Sequence, residues 1–192
     1  YAVMPRSPRT ARAAEAALKA GKELMIHFPF DPFLSLELPR GEEPSPRDLR
    51  KVRALLKECL SVIGGAKGLN NHRSTKATRD RALMRRFMED LKATGLYFLD
   101  SRVSAKSVAY EEARRAGLKA AANGVFLDEA RRHDKAFCER MLKRAAAAAK
   151  KTGSAVAIGH HYFHGTYECL AEGVPRLQKQ GFEFVFASEV VR

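Results

Sequence analysis

Polar side chains that could do chemistry are concentrated in one stretch of this sequence. Residues 68–75 carry two adjacent amides, Asn70 and Asn71, followed by the imidazole of His72. Such groups are costly to bury without hydrogen-bond partners, so they are well suited to hold a metal ion, a water molecule or a polar substrate. A polar loop that only satisfies its own backbone is the competing interpretation.

Three further residues occupy comparable positions. His27, Asp100 and His160 each follow a short apolar segment that is typical of a buried strand. In a parallel sheet or barrel the carboxyl ends of the strands lie at one face, so we expect these residues and His72 to converge. Two neutral imidazoles with a carboxylate form a common ligand set for Zn²⁺, and a further histidine can act as a general acid or base near neutral pH.

Strands and helices alternate around these positions. The apolar pattern predicts strands at residues 1–4, 23–26, 66–69, 96–99, 125–127, 154–158 and 182–186. Helices are predicted at residues 10–20, 45–63, 107–116, 134–151 and 166–179, with a further helix capped by Thr78 and ended by Gly95. Two prolines exclude residues 28–33 from a helix or an interior strand, and residues 35–44 are predicted to form a loop.

Repeated units of about 25–30 residues are typical of βαβ structure with a parallel sheet covered on both faces. Six or seven such units favour a barrel over an open sheet. The densest glycine cluster, at residues 64–68, follows a helix and precedes a strand. This order is wrong for a dinucleotide or P-loop site, so the cluster is interpreted as a helix end and a turn.

Composition predicts one globular domain over residues 1–192. The chain is 45% hydrophobic and 30% charged, enough to form a sizeable core. No apolar run has the length of a transmembrane helix. Because the first residue is Tyr1 rather than methionine, we expect the natural start to lie upstream, and a missing leader therefore says nothing about compartment.

The formal net charge of +13 raises the possibility of nucleic-acid binding. The basic residues are spread over every predicted helix, however. Even the densest group has no interleaved aromatic side chains of the kind that stack on bases; it comprises Arg79, Arg81, Arg85 and Arg86. A solvated basic exterior is therefore favoured over a specific nucleic-acid site.

The three cysteines, Cys59, Cys138 and Cys169, are far apart and each falls in a predicted helix. No Cys-x-x-Cys pair is present. Free cysteine is among the most frequently buried residue types, so the sequence favours three small buried hydrophobic side chains over a disulfide or a metal role.

Five segments together resemble the divergent polysaccharide deacetylase family, a remote branch of the NodB-like carbohydrate esterases. They are LMIHFP at 24–29, GLNNH at 68–72, LYFLDSR at 96–102, VFLD at 125–128 and AIGH at 157–160. The resemblance implies a distorted parallel (β/α) barrel of about seven strands and one divalent metal ion, usually zinc. It also implies an extracytoplasmic bacterial setting, either periplasmic or anchored to a membrane by an upstream segment. The implied reaction is hydrolysis of acetyl groups on a cell-envelope polysaccharide.

The same resemblance implies a role for each matching polar residue. His27 and His72 would be metal ligands, and His160 would protonate the leaving amine or alcohol. Asp100 would lie beside the metal or orient a catalytic group. The substrate pocket would be shaped by the polar residues next to these, namely Asn70, Asn71, Ser101 and Arg102.

The sequence also departs from the family pattern. Arg73, Ser74 and Thr75 stand where the family has Met-Gly-Ser, His161 replaces a proline, and Gly124 replaces an aspartate. The family's first strand, which ends in an Asp-Asp pair that supplies a metal ligand and the base, is absent from the sequence as given. A catalytically inactive module that binds polysaccharide or a partner protein is therefore an alternative to the enzyme.

Overall fold

The computed structural model describes residues 1–31, 33–38 and 43–192. Its contacts divide the chain into two compact units, one of Tyr1–Ala122 with Val191–Arg192 and one of Asn123–Val190. The single domain predicted over residues 1–192 stays a prediction. The loop predicted at 35–44 includes residues 39–42, and the proline-containing segment at 28–33 includes residue 32; these five residues lie outside the described ones.

The first unit is built on a sheet of five parallel strands in chain order. They are β1 (Ala2–Val3), β2 (Met25–Pro29), β3 (Gly68–His72), β4 (Tyr97–Asp100) and β5 (Ala120–Ala122). The helices between them are α1 (Thr10–Lys19), α2 (Pro46–Val62), α3 (Arg81–Lys92) and α4 (Ala109–Arg115). The sequence did not predict β5, because three alanines have a low intrinsic preference for strands; its pairing with β4 overrides that preference.

The helix starts show which local signals were sufficient. α2 begins as predicted, with the Ser45 hydroxyl accepting a hydrogen bond from the backbone N–H of Asp48 at 3.1 Å. The predicted cap of α3 is wrong. Asp80 caps that helix by accepting from the N–H of Leu83 at 2.8 Å, whereas the Thr78 hydroxyl donates to the Ser74 carbonyl at 2.6 Å.

Alternation along the strands gives the five-stranded sheet two different faces. Ile26 and Phe28 of β2, Leu69 of β3 and Phe98 of β4 are fully buried in a core that also contains Phe87 of α3. Side chains at the intervening positions point to the other face. That face carries His27 on β2 and, on β3, Asn70 and His72.

The second unit contains a parallel pair of strands, β6 (Val125–Phe126) and β7 (Ala157–Ile158). Its helices are α5 (Lys135–Thr152), α6 (His164–Gln178) and α7 (Ala187–Val190). α5 begins as predicted, because the Asp134 carboxylate accepts from the N–H of Phe137 at 2.8 Å. It ends at Gly153, whose φ of +85° is the left-handed conformation that glycine adopts without strain.

A disulfide bond joins Cys138 of α5 to Cys169 of α6. The prediction of three unlinked cysteines is therefore wrong for these two. They are 31 residues apart in sequence and lie on adjacent predicted helices, and only the packing of those helices brings the sulfur atoms together. Cys59 is free and fully buried as predicted, and its burial raises the pKa of the thiol to about 12.

The α/β class and the parallel sheet are confirmed, but a closed barrel is not. The seven strands among the described residues lie in one sheet of five and one of two. The strand predicted at 182–186 is wrong. The backbone N–H of Phe182 instead closes α6 by donating to Leu177 at 3.1 Å, and no described strand pairs with the residues that follow.

No helix among the described residues is both long enough and apolar enough to cross a membrane.

Candidate functional site

Five predicted site residues of the first unit lie inside strands rather than after them: His27, Asn70, Asn71, His72 and Asp100. Ser101 and Arg102 directly follow β4. β2 extends to Pro29 and β3 to His72, in a register that places His27 opposite Asn70 and Pro29 opposite His72. The expectation that residue 29 cannot belong to an interior strand is wrong. Pro29 is the last residue of β2, and β1 pairs only with Met25 and Ile26. Because β1 does not reach Pro29, the lack of a backbone N–H at this proline removes no hydrogen bond to β1.

Four polar side chains of this unit form one hydrogen-bonded chain. The Asn70 amide nitrogen donates to the Ser101 hydroxyl at 3.0 Å, which leaves its carbonyl oxygen to accept from His27 Nδ1 at 2.9 Å. His27 Nε2 then carries the lone pair, and it accepts a hydrogen bond from Nδ1–H of His72 at 2.8 Å. The network therefore fixes the tautomer of His27 and directs two imidazole nitrogens at each other.

This arrangement fits a divalent cation in its donor chemistry. Imidazole nitrogens are ligands that Zn²⁺ and similar ions prefer, and Asn70 is the kind of neighbour that orients a ligating histidine. An ion bound by both rings would displace the proton that His72 donates to His27. Both histidines are half-buried. No set of three or more His, Cys, Asp or Glu side chains in the described ranges is arranged to hold a metal. The assignment of His27 and His72 as metal ligands therefore stays a prediction.

Asp100 is buried and paired, as expected, but it does not join the two histidines. Its carboxylate accepts from the Ser107 hydroxyl and from the backbone N–H of Arg102, each at 2.8 Å, and lies 3.7 Å from the Arg102 guanidinium. Alternation along β4 places it on the same face as Phe98, the face that packs against the helices. Asp100 therefore fixes the turn that follows its own strand.

Asn71 faces the helices as well and is completely buried. Its carbonyl oxygen accepts from the backbone N–H of Ser101 at 2.8 Å, so Asn71 bonds to the backbone of Ser101 while Asn70 bonds to its hydroxyl.

The chain turns sharply after β3 and after β4. Arg73 and Arg102 both adopt positive φ angles, 41° and 51°, which are uncommon for residues other than glycine. Strained turns at this edge of the sheet are typical of functional sites.

A second polar cluster surrounds His160 in the second unit. His160 Nδ1 lies 2.5 Å from one oxygen of Asp128, and the other oxygen accepts from the His160 N–H and from the Thr166 hydroxyl, each at 2.7 Å. Burial alone would raise the pKa of Asp128, but these hydrogen bonds outweigh it and hold the pKa below its ordinary value. An ionised Asp128 fixes the proton of His160 on Nδ1 and leaves Nε2 for a substrate.

Gly159 makes this cluster possible. A Cβ atom at this position would lie 2.9 Å from the Thr166 methyl group and 3.5 Å from the Asp128 carboxylate. A larger residue would therefore push apart the groups that hold His160. Sequence reasoning missed the roles of Asp128 and Thr166, although Asp128 follows an apolar strand as Asp100 does.

An open cavity of about 840 Å³ lies elsewhere on the first unit and is lined mainly by charged residues. Among them, Asp31 accepts from the backbone N–H groups of Lys76 and Ala77 at 2.8 and 2.9 Å. None of the predicted site residues lines this cavity. It is therefore separate from the histidine pair.

Sequence comparison identifies the family of the chain that carries these residues. The pattern of the divergent polysaccharide deacetylases matches residues 1–191. The chain belongs to this family. It is 32% identical to an uncharacterized protein of Haemophilus influenzae and 30% identical to the uncharacterized protein YibQ of Escherichia coli, in each case over 83% of the chain. The chain spans about half the length of these relatives, 56% and 49%.

Two solved structures share the fold. An uncharacterized protein of Agrobacterium tumefaciens superposes with a TM-score of 0.85 at 20% identity, covering 99% of this chain and 77% of that one. The lactam utilization protein of Thermus thermophilus gives a TM-score of 0.56 at 18% identity, covering 85% of this chain and 79% of its own. At these identities the likeness shows the α/β fold alone.

Proposed function

We propose that this chain is a metal-dependent hydrolase that removes acetyl groups from a cell-envelope polysaccharide. The observation that carries the proposal is the pair of facing imidazole nitrogens on His27 and His72, 2.8 Å apart, in a member of the polysaccharide deacetylase family. Hydrolysis of an acetyl group needs a polarised carbonyl, an activated water and a proton for the leaving group. The chain has residues suited to these tasks.

His27 and His72 would hold the metal, and the ion we propose is Zn²⁺. When bound, such an ion polarises a carbonyl oxygen and lowers the pKa of a coordinated water to about 7. Asn70 keeps the Nδ1 proton of His27 in place, so that the lone pair lies on Nε2, the atom that would bind the ion once the His72 proton is displaced. We therefore assign Asn70 a positioning role rather than direct contact with the substrate.

His160 would be the general acid. Water would bond to the acetyl carbon as the bond from that carbon to the sugar nitrogen or oxygen breaks. The leaving atom would take the Nε2 proton of a doubly protonated His160, which regains a proton from solvent. Asp128 holds the opposite ring nitrogen, and Thr166 holds Asp128. Arg102, whose side chain is 38% exposed, keeps its proposed role in contacting substrate. Ser101 is buried and bonded to Asn70, so we assign it a positioning role, and Asp100 and Asn71 fix the backbone of both residues.

The proposal also covers the cellular location of the protein and the fold of its full-length form. We propose an extracytoplasmic location, because disulfides such as Cys138–Cys169 persist in oxidising compartments and are rare in the cytosol. We also propose that the full-length protein forms the family's distorted barrel. The proposed partner is an acetylated polysaccharide.

Acetate release from an acetylated polysaccharide tests this function. With Zn²⁺ present, we expect the wild-type chain to release acetate and His160→Ala to lower kcat by about 100-fold or more. His72→Ala should lower both acetate release and the bound Zn²⁺ per chain. His164→Ala is the matched control, because this side chain is 83% exposed and lies in the same unit as His160.

Stoichiometric Zn²⁺ that persists in His72→Ala would contradict the assignment of this ligand. Polysaccharide binding without acetate release, in both this chain and a longer form, would instead favour the binding module. The longer form is included because the chain spans only part of its relatives.

A further inference from the structure

Aromatic rings form a continuous exposed surface beside the His160–Asp128 pair. Tyr162 lies 5.3 Å from the His160 ring and 4.5 Å from Phe163, measured between ring centroids. Phe163 in turn stacks on His133 at 4.2 Å with an interplanar angle of 7°. We call Tyr162, Phe163 and His133 the aromatic surface. It lies entirely within the second unit.

The aromatic surface is held in place by its backbone. The N–H of Phe163 donates to the His160 carbonyl at 3.2 Å and closes a turn between β7 and α6. A Cβ atom on Gly165 would lie 2.5–2.7 Å from backbone atoms of residues 133–135, so α6 begins in close contact with the segment that carries His133. The backbone that carries the rings is therefore held next to His160.

Tyr162 presents most of its side chain to solvent. It is 64% exposed, so its contacts with Phe163 and His160 leave most of the side chain open. A tyrosine ring is a large apolar surface with a polar tip, and such rings supply binding energy at low entropic cost when they are already held in place. The C–H face of a pyranose packs well on an aromatic ring, while its hydroxyl groups bond to nearby polar atoms.

We propose that Tyr162 is the stacking platform of a sugar-binding subsite next to His160, and that its ligand is a pyranose ring of a glycan chain. The choice of a glycan rests on the proposed function. The position of the subsite rests on the contact between the rings of Tyr162 and His160, the residue that we propose as the general acid. A sugar stacked there lies beside His160.

The absence of tryptophan from the chain gives a direct test. The probe is a tetramer of β-1,4-linked N-acetylglucosamine, and its affinity is measured by titration calorimetry. We expect Tyr162→Ala to bind about tenfold more weakly, the loss of one aromatic contact. Tyr162→Trp should bind like wild type, and its unique tryptophan emission should shift as the tetramer is added.

Tyr167→Ala is the matched control. Tyr167 is 67% exposed in the same unit, and its ring contact is with His164 rather than with the His160 cluster. Its substitution should leave the affinity unchanged. Equal affinity in Tyr162→Ala and wild type, an equal loss in both alanine variants, or no binding of the tetramer by wild type would each overturn the proposal. Thermal unfolding of each variant confirms that the comparison is made between folded proteins.

Failure of this proposal is distinguishable from failure of the deacetylase function. If binding depends on Tyr162 but no acetate is released, the subsite stands and the enzyme reaction is wrong. If acetate is released and Tyr162→Ala leaves KM unchanged, the reaction stands and the subsite is wrong.

Discussion

Two aspartates at strand ends, Asp100 and Asp128, show that residue type alone does not reveal the hydrogen-bond partners of a side chain. Asp100 and Asp128 both follow apolar segments, and both are almost completely buried. Asp100 bonds to the turn after its own strand, whereas Asp128 bonds to the ring and backbone of His160. A buried carboxylate needs hydrogen-bond partners, whatever its place in the chain. The identity of the partners depends on loop conformations that have no periodic signal.

The carboxylate of Asp128 should make stability depend on pH. Its pKa lies below the ordinary value of about 3.9, so ionised Asp128 stabilises the folded state above that pH. This contribution is lost as the pH falls through the lowered folded-state pKa. Asp128→Asn lacks it at every pH. We expect the difference in unfolding free energy between wild type and Asp128→Asn to be larger at about pH 5 than at about pH 3.

Urea unfolding of both proteins at the two pH values measures this difference. Both values lie below the ordinary histidine pKa of about 6.5, so the protonation of unfolded histidine changes little between them. A difference that stays constant with pH would show that the carboxylate gains nothing from its contacts in the folded state.

The elements were predicted better than their boundaries. Apolar runs and capping residues were sufficient to locate α1, α2, α5 and β4, since these signals are local. β2 and β3 are longer than predicted because five consecutive residues of each pair in register, including the polar ones. Sheet hydrogen bonds thus overrode the low strand preference of Asn70 and Asn71. The prediction of a strand at 182–186 was wrong because an apolar run forms a strand only where a neighbouring strand pairs with it, and no described strand pairs with these residues.

Gly68 at the start of β3 should tolerate no side chain. A Cβ atom there would lie 2.2 Å from the ring of Tyr97, which is 6% exposed and hydrogen-bonded to Glu23 at 2.7 Å. We expect Gly68→Ala to lower the unfolding free energy by about 1–3 kcal/mol through overpacking. Denaturant unfolding measures the change. Gly64→Ala is the control, because a Cβ atom at Gly64 would meet no atom within 4 Å; equal effects in both variants would contradict the steric argument.

The disulfide between α5 and α6 should stabilise the second unit. It closes a segment of 31 residues in sequence, and a cross-link of this kind typically contributes about 2–4 kcal/mol. We expect the double variant Cys138→Ala/Cys169→Ala, and wild type in reductant, to unfold at lower temperature than oxidised wild type. Reductant should not affect the double variant. A wild-type melting curve that is insensitive to reductant would show that the cross-link does not stabilise the fold.

At the scale of the molecule, the basic residues behind the net charge of +13 are distributed along the chain, and some of them are paired with carboxylates. In the densest arginine group, Arg81 pairs with Glu111 and Glu112, and Arg85 pairs with Glu43. A basic surface already engaged with carboxylates is poorly suited to a specific nucleic-acid site. That the chain has no specific nucleic-acid site stays a prediction.

Composition and alternation were sufficient to predict an α/β chain with a parallel sheet. The family resemblance located His27, His72 and His160, which the structure places in two polar clusters. The sequence could not show the hydrogen bonds that distinguish a residue in contact with substrate from a residue that positions its neighbours. Asn70 was expected to contact substrate, yet it is 4% exposed and bonded to His27 and Ser101. Such roles depend on the register between strands, which only the fold determines.

The most direct test of the account follows free acetate by proton NMR as the chain acts on an acetylated cell-envelope polysaccharide with Zn²⁺ present. We predict that acetate accumulates over many turnovers, stops when a chelator removes the metal, and resumes when Zn²⁺ is restored. Acetate release at the same rate in the presence of the chelator, or no acetate from a folded and Zn²⁺-loaded protein, would contradict the account.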